Sequence, residues 1–305
     1  MKTLLTVAVA AIVAAGAASA QERYVMITHT QGTDPFWPVV EKAGRDASEA
    51  IGAEFEYNFA PSGDMADMAQ LIESAAATQP DGLIVSLPDA DALGGAISAA
   101  VESGIPVVTI NSGLEASKDL GALMHIGQPE RDAGFAAGER AKEEGVTKAI
   151  CLNQEAYNTA LVDRCEGYFE ALGQDLNMID VSNDVAQIQT RTAAALQADP
   201  EIDGVLAVGP HVCEAAVTAI GEVGAEGMHL GCFDLTQGVI QGIQNGDVAF
   251  TVDQQQYLQG YMPVIVLHLY NNYAGMLPGS NIPSGPGFVD SSNADGVAEQ
   301  AGTNR

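Results

Sequence analysis

The chain has 305 residues, 12 of them basic and 40 acidic, for a formal net charge of −28. A field of that sign repels nucleic acid and anionic membranes and works against a polyanionic ligand, so none of these is expected as a partner.

Residues 1–20 read as a secretory signal: Lys2, an apolar run over 4–15, then Ala-Ala-Ser-Ala before Gln21. Cleavage is expected after Ala20. No cysteine follows the run to take a lipid, and no later stretch approaches the roughly 18 uninterrupted apolar residues of a membrane span. The mature chain is therefore expected free in an exported, oxidising compartment, the bacterial periplasm. Its 285 residues suit two domains of ordinary size.

The first apolar run of the mature chain, 24–27, leads into His-Thr-Gln-Gly-Thr-Asp-Pro-Phe-Trp at 29–37. This reads as a strand-to-helix corner, with Asp34 as N-cap and Pro35 at the first helical position. Trp37 falls at helical spacing with Val40, Gly44, Ala47 and Ile51, the pattern of a core ring. The alternative is that Phe36 and Trp37 wall a binding cleft.

Short apolar runs recur at 24–28, 54–59, 83–87, 107–110, 149–152, 178–181, 205–208 and 229–233. Helical patterns fall at 65–78, 90–102, 131–143, 161–172, 185–197, 214–223 and 256–274. Strand alternating with helix predicts an α/β protein with parallel sheets covered on both faces. Residues 81–89 (DGLIVSLPD) parallel 203–211 (DGVLAVGPH), and 104–111 (GIPVVTIN) parallel 227–234 (GMHLGCFD), at offsets of 122 and 123. Two similar doubly wound lobes follow, one of 21–125 plus 255–284, the other of 126–254 plus 285–305. Chain crossings between them are expected near 125–128, 253–255 and 282–288. Ligands of open α/β sheets bind beyond the carboxyl ends of the strands, and the equivalent residues Asn111 and Asp234 both sit there.

Of four cysteines, Cys151 in a strand and Cys165 in the following helix are expected to pair; a Cys213–Cys232 bridge stays open. His211-x-Cys213 alone is a poor metal pattern, and neither metal nor cofactor is predicted. Phosphate-loop, dinucleotide, zinc-protease and nucleophile-elbow motifs are absent, so no catalytic residue is assigned. What remains is a set of polar side chains at strand ends, Asp34, Ser86, Asp89, Asn111, Asn153, Asn158, Arg164, His211, Asp234 and Gln254. Carboxylates, amides and an arginine fork suit adjacent hydroxyls, and an aromatic face suits the C–H face of a sugar. Asp89 has a competing role as a helix cap.

With these residues in view, the whole mature chain resembles the ribose-binding-protein type of periplasmic solute receptor for ABC importers. Asp34-Pro35-Phe36-Trp37 is similar to the family's Asn-Pro-Phe-Phe, whose rings sandwich the sugar. Ser86 in 81–97, Asn111 in VVTINSG, Arg164 in LVDRCEGYFEAL, Asp234 in GCFDLT and Gln254 in TVDQQQ fall where the family contacts its ligand. Asp34 and Asn111 exchange amide for acid relative to that pattern, and Gly209-Pro210-His211 replaces Asn-Asp. The resemblance implies a monomeric receptor that closes on a monosaccharide, polyol or cyclitol and presents it to an importer permease, with a chemoreceptor as a further partner of the class. The rivals are an exported sugar-modifying enzyme on the same scaffold and a receptor for a nucleoside or signal molecule.

Overall fold

The structure, a computed structural model, describes residues 21–29 and 34–305. The predicted signal peptide and its cleavage site lie outside the described residues. The first half runs β1 (Arg23–Thr28), α1 (Trp37–Ile51), β2 (Glu54–Phe59), α2 (Met65–Ala77), β3 (Gly82–Ser86), α3 (Ala90–Glu102), β4 (Val107–Ile110), α4 (Leu114–Ser117) and β5 (Met124–Gly127). The second runs α5 (Glu130–Glu143), β6 (Ala149–Asn153), α6 (Thr159–Leu172), β7 (Met178–Asp180), α7 (Val185–Ala198), β8 (Gly204–Ala207), α8 (Pro210–Val223), β9 (His229–Phe233), α9 (Gln237–Asn245) and β10 (Phe250–Asp253). The chain ends with α10 (Gln256–Asn272), β11 (Ile282–Pro283), β12 (Gly287–Asp290) and α11 (Ala294–Val297).

Among the described residues the strands form two sheets, ordered β11-β5-β4-β3-β1-β2 and β12-β10-β9-β8-β6-β7. Removing the edge strands β11 and β12 leaves the same order twice, the structural form of the repeat in the sequence. Pairing is parallel throughout except for β12, which runs antiparallel to β10. Both faces of each sheet are covered. In β3, Leu83 and Val85 enter one core cluster and Ile84 the cluster on the opposite face, the period-2 alternation of a strand. Continuous apolar runs therefore mark buried strands here, as the sequence predicts.

The chain passes between the sheets three times: from β5 to α5, from β10 to α10, and from β11 to β12 through a cis Gly285–Pro286 peptide. Helix α10 returns to the first sheet and lies along α1. Gly260 makes this possible, since a Cβ there would stand 2.1 Å from the Val40 carbonyl oxygen. Both disulfides are formed, Cys151–Cys165 and Cys213–Cys232. Strands β5, β10, β11 and β12 and helices α4, α9 and α11 lie outside the predicted runs. These strands are short and carry polar or imino residues, such as His125 in β5, Asp253 in β10 and Pro283 in β11, that break an apolar pattern.

Candidate functional site

Strand ends of the two sheets face one another across a narrow cleft lined by His29, Asp34, Phe36, Trp37, Asn111, Gln154, Glu155, Asn158, Leu161, Arg164, Val208, Gly209, Pro210, Asp234 and Gln254. It leaves about 20 Å³ to water-sized molecules, room for roughly one water. A ligand of sugar size enters only when the walls part. A wider groove of about 420 Å³ also touches Asn111, lined by apolar residues such as Leu87, Leu114 and Pro129 interleaved with charged ones such as Glu115, Glu130, Arg131 and Asp132. The narrow cleft is the stronger candidate because it gathers buried polar groups from both sheets.

Asn111 and Asp234, equivalent in the repeat, immediately follow β4 and β9 and adopt the same left-handed backbone, φ 62° and 69°. Asn and Asp tolerate that conformation better than other side chains with a Cβ, so the geometry admits either at both places. Gln254, after β10, joins them: Asn111 Nδ2 donates to its Oε1 at 3.2 Å, and its Nε2 donates to Asp234 Oδ2 at 3.0 Å. The other Asp234 oxygen is buried with no partner. Burial pushes the Asp234 carboxyl up to about 8, against the pull of the Arg164 charge and the Gln254 bond.

Arg164, on the second turn of α6, is buried with its guanidinium 4.5 Å from the centre of the Phe233 ring. Its Nε and Nη2 donate to Glu130 at 2.6 and 2.9 Å, and Nη1 donates to the Val208 carbonyl at 2.9 Å. Asp234 Oδ2 stands 3.9 Å from Nη1. Burial opposes this charge, but the Glu130 carboxylate outweighs it and holds the guanidinium above its ordinary value.

Two histidine–acid pairs span the cleft. His29 Nε2, at the end of β1, lies 3.5 Å from Glu155 Oε2, and His29 Nδ1 lies 2.7 Å from Ser86 Oγ. Burial acts to raise the Glu155 carboxyl, but the His29 contact and the amides of Asn158 and Asn183 outweigh it and bring it below its ordinary value. His211 Nδ1 lies 3.9 Å from Asp34 Oδ1, and its Nε2 lies 3.0 Å from Asn183 Oδ1. Burial raises the Asp34 carboxyl, with His211 acting in the opposite sense. Asn158 caps α6 by accepting from the Ala160 amide, donates to Glu155 at 2.9 Å, and reaches His29 Nε2 at 3.2 Å across the cleft.

Asp34, Phe36, Trp37, Asn111, Asn158, Arg164, Asp234 and Gln254 thus meet at one cleft. Three sequence candidates stand outside its lining. Ser86 is buried behind His29, where its Oγ also accepts from the His29 amide. Asp89 caps α3, accepting from the Ala92 amide at 3.0 Å, a cap rather than a wall. His211 faces Asp34 from the second-sheet side, held there by Asn183. Asn153, from the wider polar set, holds the Glu155 amide. The N-cap expectation for Asp34 is corrected: α1 starts at Trp37 with Phe36 at the cap, and Asp34 Oδ1 instead accepts from the Phe36 amide across a two-residue turn. Pro38 in the first turn, where its missing N–H is harmless, moves the helix start past Pro35. Phe36 and Trp37 are both core and wall; their rings meet edge to face at 5.0 Å and 79° rather than as parallel plates. Gln154, Glu155 and Glu130 escaped sequence reasoning. A Gln-Glu pair directly after a strand, equivalent in position to the His29 corner, was the available signal for the first two.

Among the described residues no group of side chains is arranged to hold a metal ion, and no helix is long and apolar enough to cross a membrane. The periplasmic binding protein domain matches residues 24–272. A carbohydrate transporter from Acidothermus cellulolyticus 11B, solved in complex with myo-inositol, is 35% identical with a TM-score of 0.88, over 92% of this chain and 98% of that one. A solute-binding protein from Burkholderia graminis C4D1M, solved with D-arabinose, shares the fold at 20% identity and a TM-score of 0.82, over 89% of this chain and 96% of that one. A xylose/arabinose-binding protein of Sulfolobus acidocaldarius is 23% identical over 89% of this chain and 71% of its own length. The chain belongs to the periplasmic binding protein family.

Proposed function

We propose that this family member is a periplasmic receptor for a neutral, hydroxyl-rich ligand, a monosaccharide, polyol or cyclitol, which it delivers to an ABC importer permease. The observation that carries the reading is the set of unspent hydrogen-bonding groups in a buried cleft. Asp234 Oδ1 has no partner, and the Arg164 fork has five N–H groups of which three are used. Hydroxyls both donate and accept, so a polyol can satisfy both sides at once. A buried acceptor left unmet costs about 1–3 kcal/mol, which makes the match selective. The 35% identical relative holding myo-inositol favours a cyclitol within this class.

Binding proceeds by hinge closure. Residues 21–125 with 255–284 form one lobe and 126–254 with 285–305 the other, and the three crossings carry the rotation. Phe36, Trp37 and Asn111 are offered by the first wall, Arg164 and Asp234 by the second. The ligand touches both only when they meet, so it shifts the population toward the closed form by its differential affinity. The permease reads the closed pair of lobe surfaces; a chemoreceptor would read the same surfaces, and the receptor acts as a monomer.

A thermal-shift panel of cyclitols, pentoses, hexoses, polyols and nucleosides tests this, since a native-state ligand at a hundredfold over Kd stabilises by about 2.7 kcal/mol. A shift from nucleosides alone would overturn the ligand class. Recovery of the bound compound chemically unchanged separates a receptor from a sugar-modifying enzyme.

A further inference from the structure

We propose that Glu130 is the positioning residue of the ligand grip: it sets the Arg164 guanidinium within the second lobe before the lobes close, and keeps its free edge from collapsing onto Asp234. The inference rests on the reading that Arg164 meets the ligand.

Glu130 opens α5 directly after the first interlobe crossing, is buried, and is not among the residues lining the cleft. Both its carboxylate oxygens are committed, Oε2 to Arg164 Nε at 2.6 Å and Oε1 to Nη2 at 2.9 Å. Gln128, fully buried in the crossing, donates to Oε2 at 2.8 Å. A guanidinium is a rigid planar fork, so fixing one edge fixes the direction of the other. The Val208 carbonyl and the Phe233 ring fix the remaining freedom, roll about the plane. Glu130, Val208 and Phe233 belong to α5, the end of β8 and β9, all on the second-sheet side with Arg164. The orientation therefore does not depend on closure, the condition for a preorganised contact.

The two helices are built for this approach. Gly134 lies where a Cβ would stand 2.1 Å from the Arg164 carbonyl oxygen, and Gly167 where a Cβ would stand 2.1 Å from that of Arg131. These reciprocal glycines bring α5 against α6 within one turn of the Glu130–Arg164 pair. With Glu130 neutral, the nearest carboxylate to the guanidinium is Asp234, 3.9 Å from Nη1. The fork would turn to it, and the two groups would spend on each other the bonds otherwise open to a ligand. The alternative role for Glu130 is an acid complementing the α5 N-terminus, which would contribute only stability.

The experiment uses the mature chain as wild type, Glu130→Gln, Glu130→Asp, Arg164→Ala and Glu130→Gln/Arg164→Ala. Arginine side-chain ¹⁵N–¹H spectra of ligand-free protein, with the Arg164 Nε signal assigned by its loss in Arg164→Ala, are expected to show that signal sharp and protected in wild type, displaced in Glu130→Gln and partly restored in Glu130→Asp. Calorimetric titration with myo-inositol, D-xylose and D-arabinose is expected to show at least tenfold weaker binding for Glu130→Gln, partial rescue by Glu130→Asp, and no further loss when Glu130→Gln is added to Arg164→Ala. An Arg164 signal that is broadened in ligand-free wild type, or unmoved by Glu130→Gln, overturns the positioning role. Additive losses in the double variant overturn it as well and leave the helix-terminus role. Undiminished binding by Arg164→Ala instead overturns the assignment of Arg164 to the ligand, while the spectra still judge the orientation.

Discussion

Replacing Asp234 by asparagine should make the protein more stable and a worse receptor. Asn is nearly isosteric, tolerates the φ of 69°, and keeps an oxygen to accept from Gln254. What it removes is a carboxyl that burial has carried from an ordinary 3.8 to about 8. A carboxyl raised in the fold stabilises it fully only below its unfolded value, and that contribution is lost as pH rises through the folded value. Between about pH 4 and pH 8 the wild type therefore loses stability that the asparagine variant, with nothing to titrate there, keeps. At neutral pH the roughly three-unit gap to the unfolded carboxyl corresponds to up to about 4 kcal/mol, less whatever the open form relieves by hydrating the group. At about 2–4 °C per kcal/mol for domains of this size, the variant's Tm should exceed wild type by as much as about 16 °C at pH 7.5 and match it near pH 4. Ligand affinity should move the other way, by about 2- to 10-fold, from the loss of one hydrogen bond of about 0.5–1.5 kcal/mol to a largely neutral carboxyl. Differential scanning calorimetry across pH 4–8 with ligand titration at pH 7.5 checks both. A Tm difference that does not change with pH, or a variant less stable than wild type at pH 7.5, would refute the reasoning.

Trp37 is the sole tryptophan, buried edge-on against Phe36 and 4.8 Å from the His29 ring centre. Its emission should shift on saturation with the ligand found in the thermal panel, and an unchanged spectrum would remove Trp37 from the ligand wall. Each disulfide closes a short loop, with sequence separations of 14 and 19. Replacing either pair by alanine should cost about 3 kcal/mol of unfolding free energy, read from denaturant melts. Because all four sulfurs belong to fully buried residues, reductant should act on the unfolded chain and leave the native melt unchanged at short exposure.

The architecture was legible because buried parallel strands leave uninterrupted apolar runs and because the two halves repeat. The repeat alone made Asn111 and Asp234 equivalent, and the fold gives them the same backbone conformation. Cys151 and Cys165 could be paired from a strand and the helix that covers it. The short strands were not legible, since a four-residue strand such as β10 carries Thr251 and Asp253 and depends on the strands either side of it for its conformation. At the site the difficulty was chemical ambiguity. Asp34, Asp89 and Asn158 are the same kind of residue in the same kind of place, yet Asp89 only caps a helix, Asp34 brackets a turn, and Asn158 caps a helix and crosses the cleft as well. Glu130 was invisible because it never faces the cleft: its partner Arg164 lies 34 positions away, brought to it by glycines whose role appears only when α5 meets α6.

The contacts that hold the two walls together suggest how closely open and closed forms are balanced. Asn158 to His29, Asn111 to Gln254, and the Thr159 amide to the Pro88 carbonyl are neutral bonds between the walls, each contributing about 0.5–1.5 kcal/mol net. Against them stands the burial of Asp34 and Asp234, which pushes both carboxyls upward. The unpartnered Asp234 oxygen alone costs an amount comparable to two or three of those bonds. The buried carboxyls therefore offset part of what these bonds contribute. A ligand that donates a hydroxyl to Asp234 Oδ1 and accepts from the free Arg164 edge removes the largest item on the unfavourable side and leaves the interlobe bonds in place. On the proposed reading, closure is driven by buried groups such as Asp234 Oδ1 that find no partner in the protein, and a molecule lacking a hydroxyl at that position should bind without closing the lobes. Small-angle scattering with a deoxy analogue of the ligand would expose this: a closed profile with the analogue would contradict the assignment of closure to the Asp234 bond.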